Sequence, residues 1–336
     1  MKNLQTRHMG IELKNPIIIG ASNMVTDTDK LKEAEEQGAA AIVYKSLFEE
    51  QVQLERYQMD QGLTEYNELH AEMITTHPEI DHAGPDEHLM NIRKVKESLS
   101  IPIIASLNAV NKDTWIQYAR LLAETGVDGI ELNFYKSPLD FAKKGTEIED
   151  EQVKILKEIK KNVSIPVSVK LSPDYSNILN FINELDKAGA DAFVLFNSFF
   201  QPDIDIDEEK HIKSFTLSNK GDYRQSLRYA GILSGNIKAD ICSSHGIFSG
   251  ADIIKLILAG SASVQAVSTY YENGLKQIGS MLDEVSGWMD SKNYSSLDDF
   301  RGKLSKNSLS SNPFVYKRAQ YVDLLLNSEE LFRHSR

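Results

Sequence analysis

Short runs of β-branched and other apolar residues recur along the chain, each followed by a stretch whose apolar positions fall at helical spacing. The strand candidates are Ile17–Ile19, Ala40–Tyr44, Ile103–Ser106, Gly129–Leu132, Val167–Lys170, Ala192–Phe196, Asp240–Ser243 and Val264–Val267. Strands alternating with amphipathic helices imply a parallel sheet covered by helices. Eight such units favour an α/β fold closed into a (β/α)8 TIM barrel over an open doubly wound sheet. The joints repeat as well. Glu124-Thr125-Gly126-Val127-Asp128-Gly129-Ile130, Ala188-Gly189-Ala190-Asp191-Ala192 and Glu36-Gln37-Gly38-Ala39-Ala40 share one phrase: a helix stopped by glycine, a small residue, then a strand.

Three connections exceed ordinary barrel loops. They follow the second, fourth and sixth strands, over Lys45–Pro102, Asn133–Glu149 and Asn197–Gly221, and they lie on the side of the sheet where strands end. Within the first, Gly84-Pro85-Asp86 opens a helix with apolar Leu89, Ile92, Val95 and Leu99. Ahead of the first strand, Leu4–Leu13 reads either as a hairpin closing the opposite end of the barrel or as a frayed terminus. We expect one domain over residues 1–336, with about 307–336 as a carboxyl-terminal extension.

Composition narrows this picture. With 336 residues, 41% of them hydrophobic, the chain can house one barrel of roughly 250 residues plus insertions. A formal charge of −12 argues against a nucleic-acid partner, which would call for clustered Lys and Arg. Cys242 is the one cysteine, so there is neither an intrachain disulfide nor a cysteine-cluster metal site, and a reducing compartment is compatible. MKNLQTRHMG lacks the apolar core of a secretion signal, and no apolar run reaches the roughly 18 residues of a membrane span. The expectation is a cytoplasmic protein with no membrane partner.

Four strands end in a side chain able to bind a polar ligand: Lys45 after AIVY, Asn133 after GIEL, Lys170 after VSV and Asn197 after FVLF. The carboxyl ends of parallel strands converge on one mouth, so these four would surround one ligand. A lysine there is desolvated unless it meets an anion or strong acceptor. The alternative partner is an internal carboxylate such as Glu131. Near the seventh and eighth strands, Ser243-Ser244-His245-Gly246-Ile247-Phe248-Ser249-Gly250 and Val264-Gln265-Ala266-Val267-Ser268-Thr269 stand where many barrels bind phosphate. Gly246, Gly250, Ser268 and Thr269 support that reading. His245 and Val267 occupy glycine-prone places, and a structural turn without phosphate is the alternative.

These residues carry a resemblance to the FMN-dependent dihydroorotate dehydrogenases, and to their class 1A branch. Asn15-Pro16-Ile17-Ile18-Ile19-Gly20-Ala21-Ser22 is similar to the family's first strand, and Lys45-Ser46 to its flavin-side lysine and serine. Ile130-Glu131-Leu132-Asn133 resembles the start of its catalytic loop, and Pro166-Val167-Ser168-Val169-Lys170-Leu171-Ser172-Pro173 its second lysine strand. Asn197-Ser198 matches its substrate-contacting pair, and the tail from Trp288 to Leu304 resembles class 1A. The resemblance implies oxidation of dihydroorotate to orotate in pyrimidine biosynthesis, with hydride passed to FMN, fumarate as oxidant and a homodimer. Ala21, Ser22, Lys45, Ser46, Lys170, His245, Gly246, Ser268 and Thr269 would surround FMN. Lys45, Asn133, Asn197 and Ser198 would face the substrate, Lys45 serving both and acting in catalysis beside a base.

Departures from the family stand beside these matches. The family base, a cysteine or serine, lies three residues beyond the strand asparagine, and here that place is Lys136, with Tyr135 and Ser137 as alternatives. The family's Asn, Gly, Leu-Pro-Asn substrate clamp is missing. Gln51–Pro85 instead carries Glu65, Tyr66, Glu68 and Glu72 together with His70, His77 and His82. With His88, these histidines fit no metal-ligand spacing and read as a solvated lid, so no metal is expected. Asp203, Asp205, Asp207, Glu208 and Glu209 read as an exposed loop. The other functional readings are an FMN-dependent reductase of a different small cyclic amide or unsaturated substrate, and a flavin- or ligand-binding barrel without turnover.

Overall fold

The computed structural model describes residues 2–53, 85–135, 140–197, 202–212, 217–309, 316–317 and 319–326. A hairpin of β1 (Thr6–His8) and β2 (Ile11–Leu13) leads into β3 (Ile17–Ile19), β4 (Ala41–Phe48), β5 (Ile103–Asn108), β6 (Gly129–Phe134), β7 (Val167–Leu171) and β8 (Ala192–Leu195). A second hairpin, β9 (Asp203–Asp205) and β10 (Lys210–Ile212), precedes β11 (Asp240–Ser244) and β12 (Ser263–Ala266). The helices are α1 (Thr28–Glu36), α2 (Asp86–Ser98), α3 (Lys112–Ala123), α4 (Gly145–Asn162), α5 (Ile178–Lys187), α6 (Arg224–Leu233), α7 (Gly250–Ala259), α8 (Ser268–Asn273), α9 (Gln277–Ser291) and α10 (Ala319–Leu326). Strands β3 to β8 with β11 and β12 pair in parallel and close into an eight-stranded (β/α)8 barrel, in the order β11-β12-β3-β4-β5-β6-β7-β8.

Alternation along each strand divides the core. Ile17, Ile19, Ile42, Tyr44, Ile103, Ala105, Ile130 and Leu132 face outward into the large cluster shared with the helices. Ile18, Ala41, Val43, Ile104, Ala192, Val194 and Cys242 form the separate inner cluster. One further step of two along these strands brings Lys45, Ser106, Glu131, Lys170 and Ser244 to the upper, polar level of the interior.

The repeated glycine joint has a second physical element, an aspartate that ties one strand to the next. Asp128 accepts from Ile103 N (2.7 Å) and pairs with Lys96 (2.6 Å). Asp191 likewise accepts from Val167 N (2.7 Å) and pairs with Lys160. Each carboxylate satisfies the first amide of the neighbouring strand, which has no ladder partner at that point. Helix starts are also specified locally. Asp27 accepts from Asp29 N and Lys30 N ahead of α1, and Ser249 with Asp252 forms a capping box on α7.

The amino terminus takes the hairpin alternative. Arg7 pairs with Glu12 in register, and Met9 and Gly10 turn the chain with φ of 47° and 83°. Met9 and Leu13 join the inner cluster, plugging the end of the barrel remote from the polar layer. Gly129 makes room for the plug, because a Cβ there would lie 2.6 Å from Met9 Cε. The acidic run after β8 differs from the expected loop. Its flanks form the exposed β9–β10 hairpin, and Asp205 Oδ1 accepts from Asp207 N and Glu208 N in the turn. Among the described residues no helix is long and apolar enough to cross a membrane.

His8 sits in this plug, wholly enclosed, with Nδ1 3.2 Å from Ser263 Oγ and, among the described residues, no partner for Nε2. Burial pulls its pKa down to about 4, and Asp240 opposes the shift. Because the unfolded imidazole binds a proton near 6.5 and the folded one near 4, stability is full above the higher value and falls as pH drops between them. The loss by pH 4 is about 3 kcal/mol. Urea denaturation at pH 7 and pH 4 should show His8→Asn losing about 3 kcal/mol less over that interval than the parent. Identical losses in the two proteins would assign the acid sensitivity elsewhere.

Candidate active site

The polar level of the barrel opens into a cavity of about 420 Å3 walled by residues of β4, β5, β6 and β7 and by the segment after β3. Lys45, Ser46, Asn133, Lys170 and Asn197 all line it, with Ala21 and Ser22. Lys45 and Ser46 are consecutive, and strict alternation would send one of them outward. A register shift in the β4–β5 pairing between Tyr44 and Leu47 re-aims this stretch, as a β-bulge does. Ser46 Oγ then meets Ser106 Oγ at 2.6 Å.

Two amides and two cations give the cavity its chemistry. Asn197 Nδ2 donates to Asn133 Oδ1 at 3.0 Å, so the β6 and β8 ends are locked to each other. Lys170 Nζ donates to Gln265 Oε1 at 3.3 Å and stands 3.8 Å from Glu131 Oε1. Gln265 Nε2 in turn donates to Glu131 Oε2. The internal partner considered for Lys170 is therefore present and belongs to the cavity wall itself. Lys45 is near His88, which packs edge-on against Tyr44 with ring centroids 5.3 Å apart. Burial, assisted by Lys45, pulls the His88 pKa down to about 4, so at neutral pH this imidazole adds no second cation beside Lys45.

A narrower cavity of about 190 Å3 adjoins the first and shares Ala21, Lys170, Asn197 and Val267 with it. His245, Gly246 and Ser268 line this extension. Ser218 Oγ donates to Ser268 Oγ at 2.7 Å and accepts from Gly246 N at 3.2 Å. Thr269 departs from the expectation. It is fully buried, and its hydroxyl accepts from Asn273 Nδ2 within α8. Lys136, Ser137 and Ser198 lie outside the described residues, as do His70, His77 and His82.

Several lining residues carry a readable signal that strand-end reasoning passes over. Ser106 and Asn108 occupy alternate positions on β5, and Glu131 lies two residues before Asn133, so period two alone places them inside. Gln265 is the single amide in β12, between Val264 and Ala266. Tyr271, also on the lining, and Ser218 come from segments with no such periodicity.

The donor set fits an elongated ligand with a flat polar ring and an anionic tail. Ser22 Oγ and Glu131 Oε1 are enclosed without a hydrogen-bond partner among the described residues. Two ammonium groups and the amide pair ring the broad cavity, while serine hydroxyls and the Gly246 amide line the narrow one. FMN has this shape and these acceptors.

Comparison with known proteins decides the relationship. The family model for dihydroorotate dehydrogenase matches residues 3–289. The chain belongs to the dihydroorotate dehydrogenase family. The Thermoplasma acidophilum protein named dihydroorotate dehydrogenase B (NAD(+)), catalytic subunit, is 26% identical over 318 residues, spanning 90% of this chain and 99% of its own length. Its Thermoplasma volcanium namesake is 28% identical over 312 residues, spanning 90% and 98%. A putative dihydroorotate dehydrogenase A (fumarate) from Aeropyrum pernix is 28% identical over 213 residues, 61% of this chain and 68% of its own. Family membership accords with the barrel and with a redox site at its mouth.

The Glu131–Lys170 pair yields a test of the site's foundation. Removing the ammonium strands a buried carboxylate, so Lys170→Met should cost about 3 kcal/mol in chemical denaturation. Glu131→Gln combined with Lys170→Met should recover more than half of that loss. A double variant as unstable as Lys170→Met alone would show that the two side chains are not energetically coupled.

Proposed function

We propose that this chain is an FMN-dependent oxidoreductase that oxidises or reduces a CH–CH bond in a small cyclic amide, with dihydroorotate as the first substrate. The observation that carries the reading is the meeting of Lys45, Lys170, Asn133 and Asn197 around one cavity in a chain of this family. FMN, when bound, supplies hydride transfer. In this reading Lys170, held by Glu131 and Gln265, sets a positive charge against the electron-rich edge of the ring. The locked amides of Asn133 and Asn197 orient a ligand with N–H and C=O groups, and Lys45 offers a charge to an anionic substituent. Hydrophobic closure beneath, by the inner cluster and the Met9 plug, keeps the floor dry.

Proton removal needs a base beside the asparagine pair. The family position holds Lys136. Of the three residues weighed for the role, Tyr135 is the one within the described residues, and it lines the cavity. The absence of cysteine or serine at position 136, with the missing substrate clamp, favours a second reading in which the substrate is another cyclic amide or turnover has been lost. For the electron acceptor, relatives named for NAD+ match most of the chain and those named for fumarate match about three-fifths. Both acceptors therefore belong in the assay. A homodimer remains the assembly to test.

Purified protein is expected to be yellow and to release FMN on denaturation. A colourless protein that stays flavin-free after incubation with FMN would reject the cofactor. Anaerobic dihydroorotate should bleach the bound flavin; bleaching by a different dihydropyrimidine or cyclic amide, but not by dihydroorotate, would assign the other substrate. Lys136→Ala and Tyr135→Phe separate the bases, with the true one lowering the bleaching rate at least 100-fold. Unchanged rates in both variants would exclude these two residues.

A further inference from the structure

At the narrow end of the cavity the backbone adopts an unusual conformation around a titratable side chain. His245 has φ of 77°, in the left-handed region that a non-glycine residue enters only under strain, and Gly246 follows at 68°. A glycine at position 245 would take this turn freely. The imidazole instead lines the cavity wall, with Nε2 3.4 Å from Asp222 Oδ2, and that carboxylate oxygen is fixed by accepting from Asn219 N at 2.7 Å. Gly246 lets the turn press onto this segment, since a Cβ there would lie 2.7 Å from Asp222 Cβ and 2.7 Å from Tyr223 N. The ring is thus clamped between Asp222 and a space that Ser218, Ser268 and the Gly246 turn also face.

We propose that His245, oriented by Asp222, grips the phosphate of the bound flavin as an imidazolium and takes up its proton when FMN binds. This rests on the flavin reading above and adds to it a residue that tells FMN from riboflavin. The charged groups bearing on the ring are Asp222, from the segment before α6, and Lys170, from β7. Burial lowers the His245 pKa, Lys170 lowers it further and Asp222 opposes both. Without ligand the ring is therefore mostly neutral at pH 7.5. A phosphate dianion placed against it favours the charged form, and Asp222 compensates the second nitrogen's charge. Because a phosphomonoester has a second pKa of about 6, FMN itself exchanges little proton at pH 7.5, so uptake there reports on the protein.

The test is titration calorimetry of flavin-stripped protein at pH 7.5, with FMN and with riboflavin, in two buffers of different ionisation enthalpy. FMN binding should take up at least about half a proton more than riboflavin binding. His245→Gly, which relieves the backbone strain and so folds, should abolish the difference and weaken FMN about tenfold while changing riboflavin less than twofold. Asp222→Asn should reduce the uptake and leave riboflavin affinity unaltered. Equal proton uptake for the two flavins, or undiminished FMN affinity in His245→Gly, would overturn the proposal while leaving flavin binding intact. Failure of both flavins to bind would instead overturn the cofactor reading and this proposal with it.

Discussion

The hydrogen bond from Gln265 to Glu131 is the constraint on which the site is built. In the closed strand order, β12 and β6 are four places apart in a ring of eight, so this bond crosses the barrel from one wall to the opposite one. Lys170, on β7, joins both ends of it. Three strands are tied at one level, and that level becomes the floor of the broad cavity. A fully enclosed carboxylate tolerates no other arrangement, since removing its partners would leave a bare charge in a low-dielectric space.

Such a network is a poor way to gain stability, because hydrocarbon of the same volume would serve as well or better. Its physical effect is to hold one ammonium at a fixed height above an apolar plug. Below Glu131 and Lys170 the interior is Ile18, Val43, Ile104, Val194 and Cys242, with Met9 and Leu13 closing the end. Lys45 stands at their level on β4, and the Asn133–Asn197 pair stands above. The barrel thus changes from mainly apolar side chains, with the His8–Ser263 pair a polar contact among them, to charged and amide ones within one step of the strand period. A flat ligand resting on that boundary would have charge and amides on the open side and no water beneath.

The eight strands were legible as short apolar or β-branched runs, and those of β4, β6 and β8 also follow a glycine-stopped helix, so that local and tertiary signals agree there. The site was legible only in its outermost ring. Strand ends advertise themselves by a change from apolar to polar, which identifies Lys45, Asn133, Lys170 and Asn197. Glu131, Ser106 and Gln265 lie within their strands and are flanked by apolar residues, so no lasting change of polarity marks them. The bulge that turns both Lys45 and Ser46 inward depends on pairing with β5, which has no local signature. Ser218 reaches the narrow cavity, and Asp222 the ring of His245, from a segment whose position is set by packing around the turn at Gly246; the Thr269 hydroxyl is engaged inside α8, which loop position does not reveal. The acidic run after β8 reads as a loop by composition, yet Ile204 and Ile212 alternate with charge on either side of a turn, and that alternation is enough for a hairpin.

Net charge and local charge act on different length scales here. The chain carries −12 overall, which would repel an anionic ligand at a distance, but that field decays over about 8–10 Å at ordinary ionic strength. Inside the broad cavity the described charged residues are Lys45 and Lys170 against Glu131, two positive and one negative, leaving one positive charge in excess. Lys170 is the cation committed to Glu131, so the surplus is concentrated at Lys45 on β4, three strands round the ring from the β7 strand of Lys170. Selection among anions is then a matter of geometry within a few ångströms of the floor. A ligand must span from Lys170 to Lys45 to meet both cations. The barrel's closure therefore determines both where the charges sit and how large the ligand must be to use them.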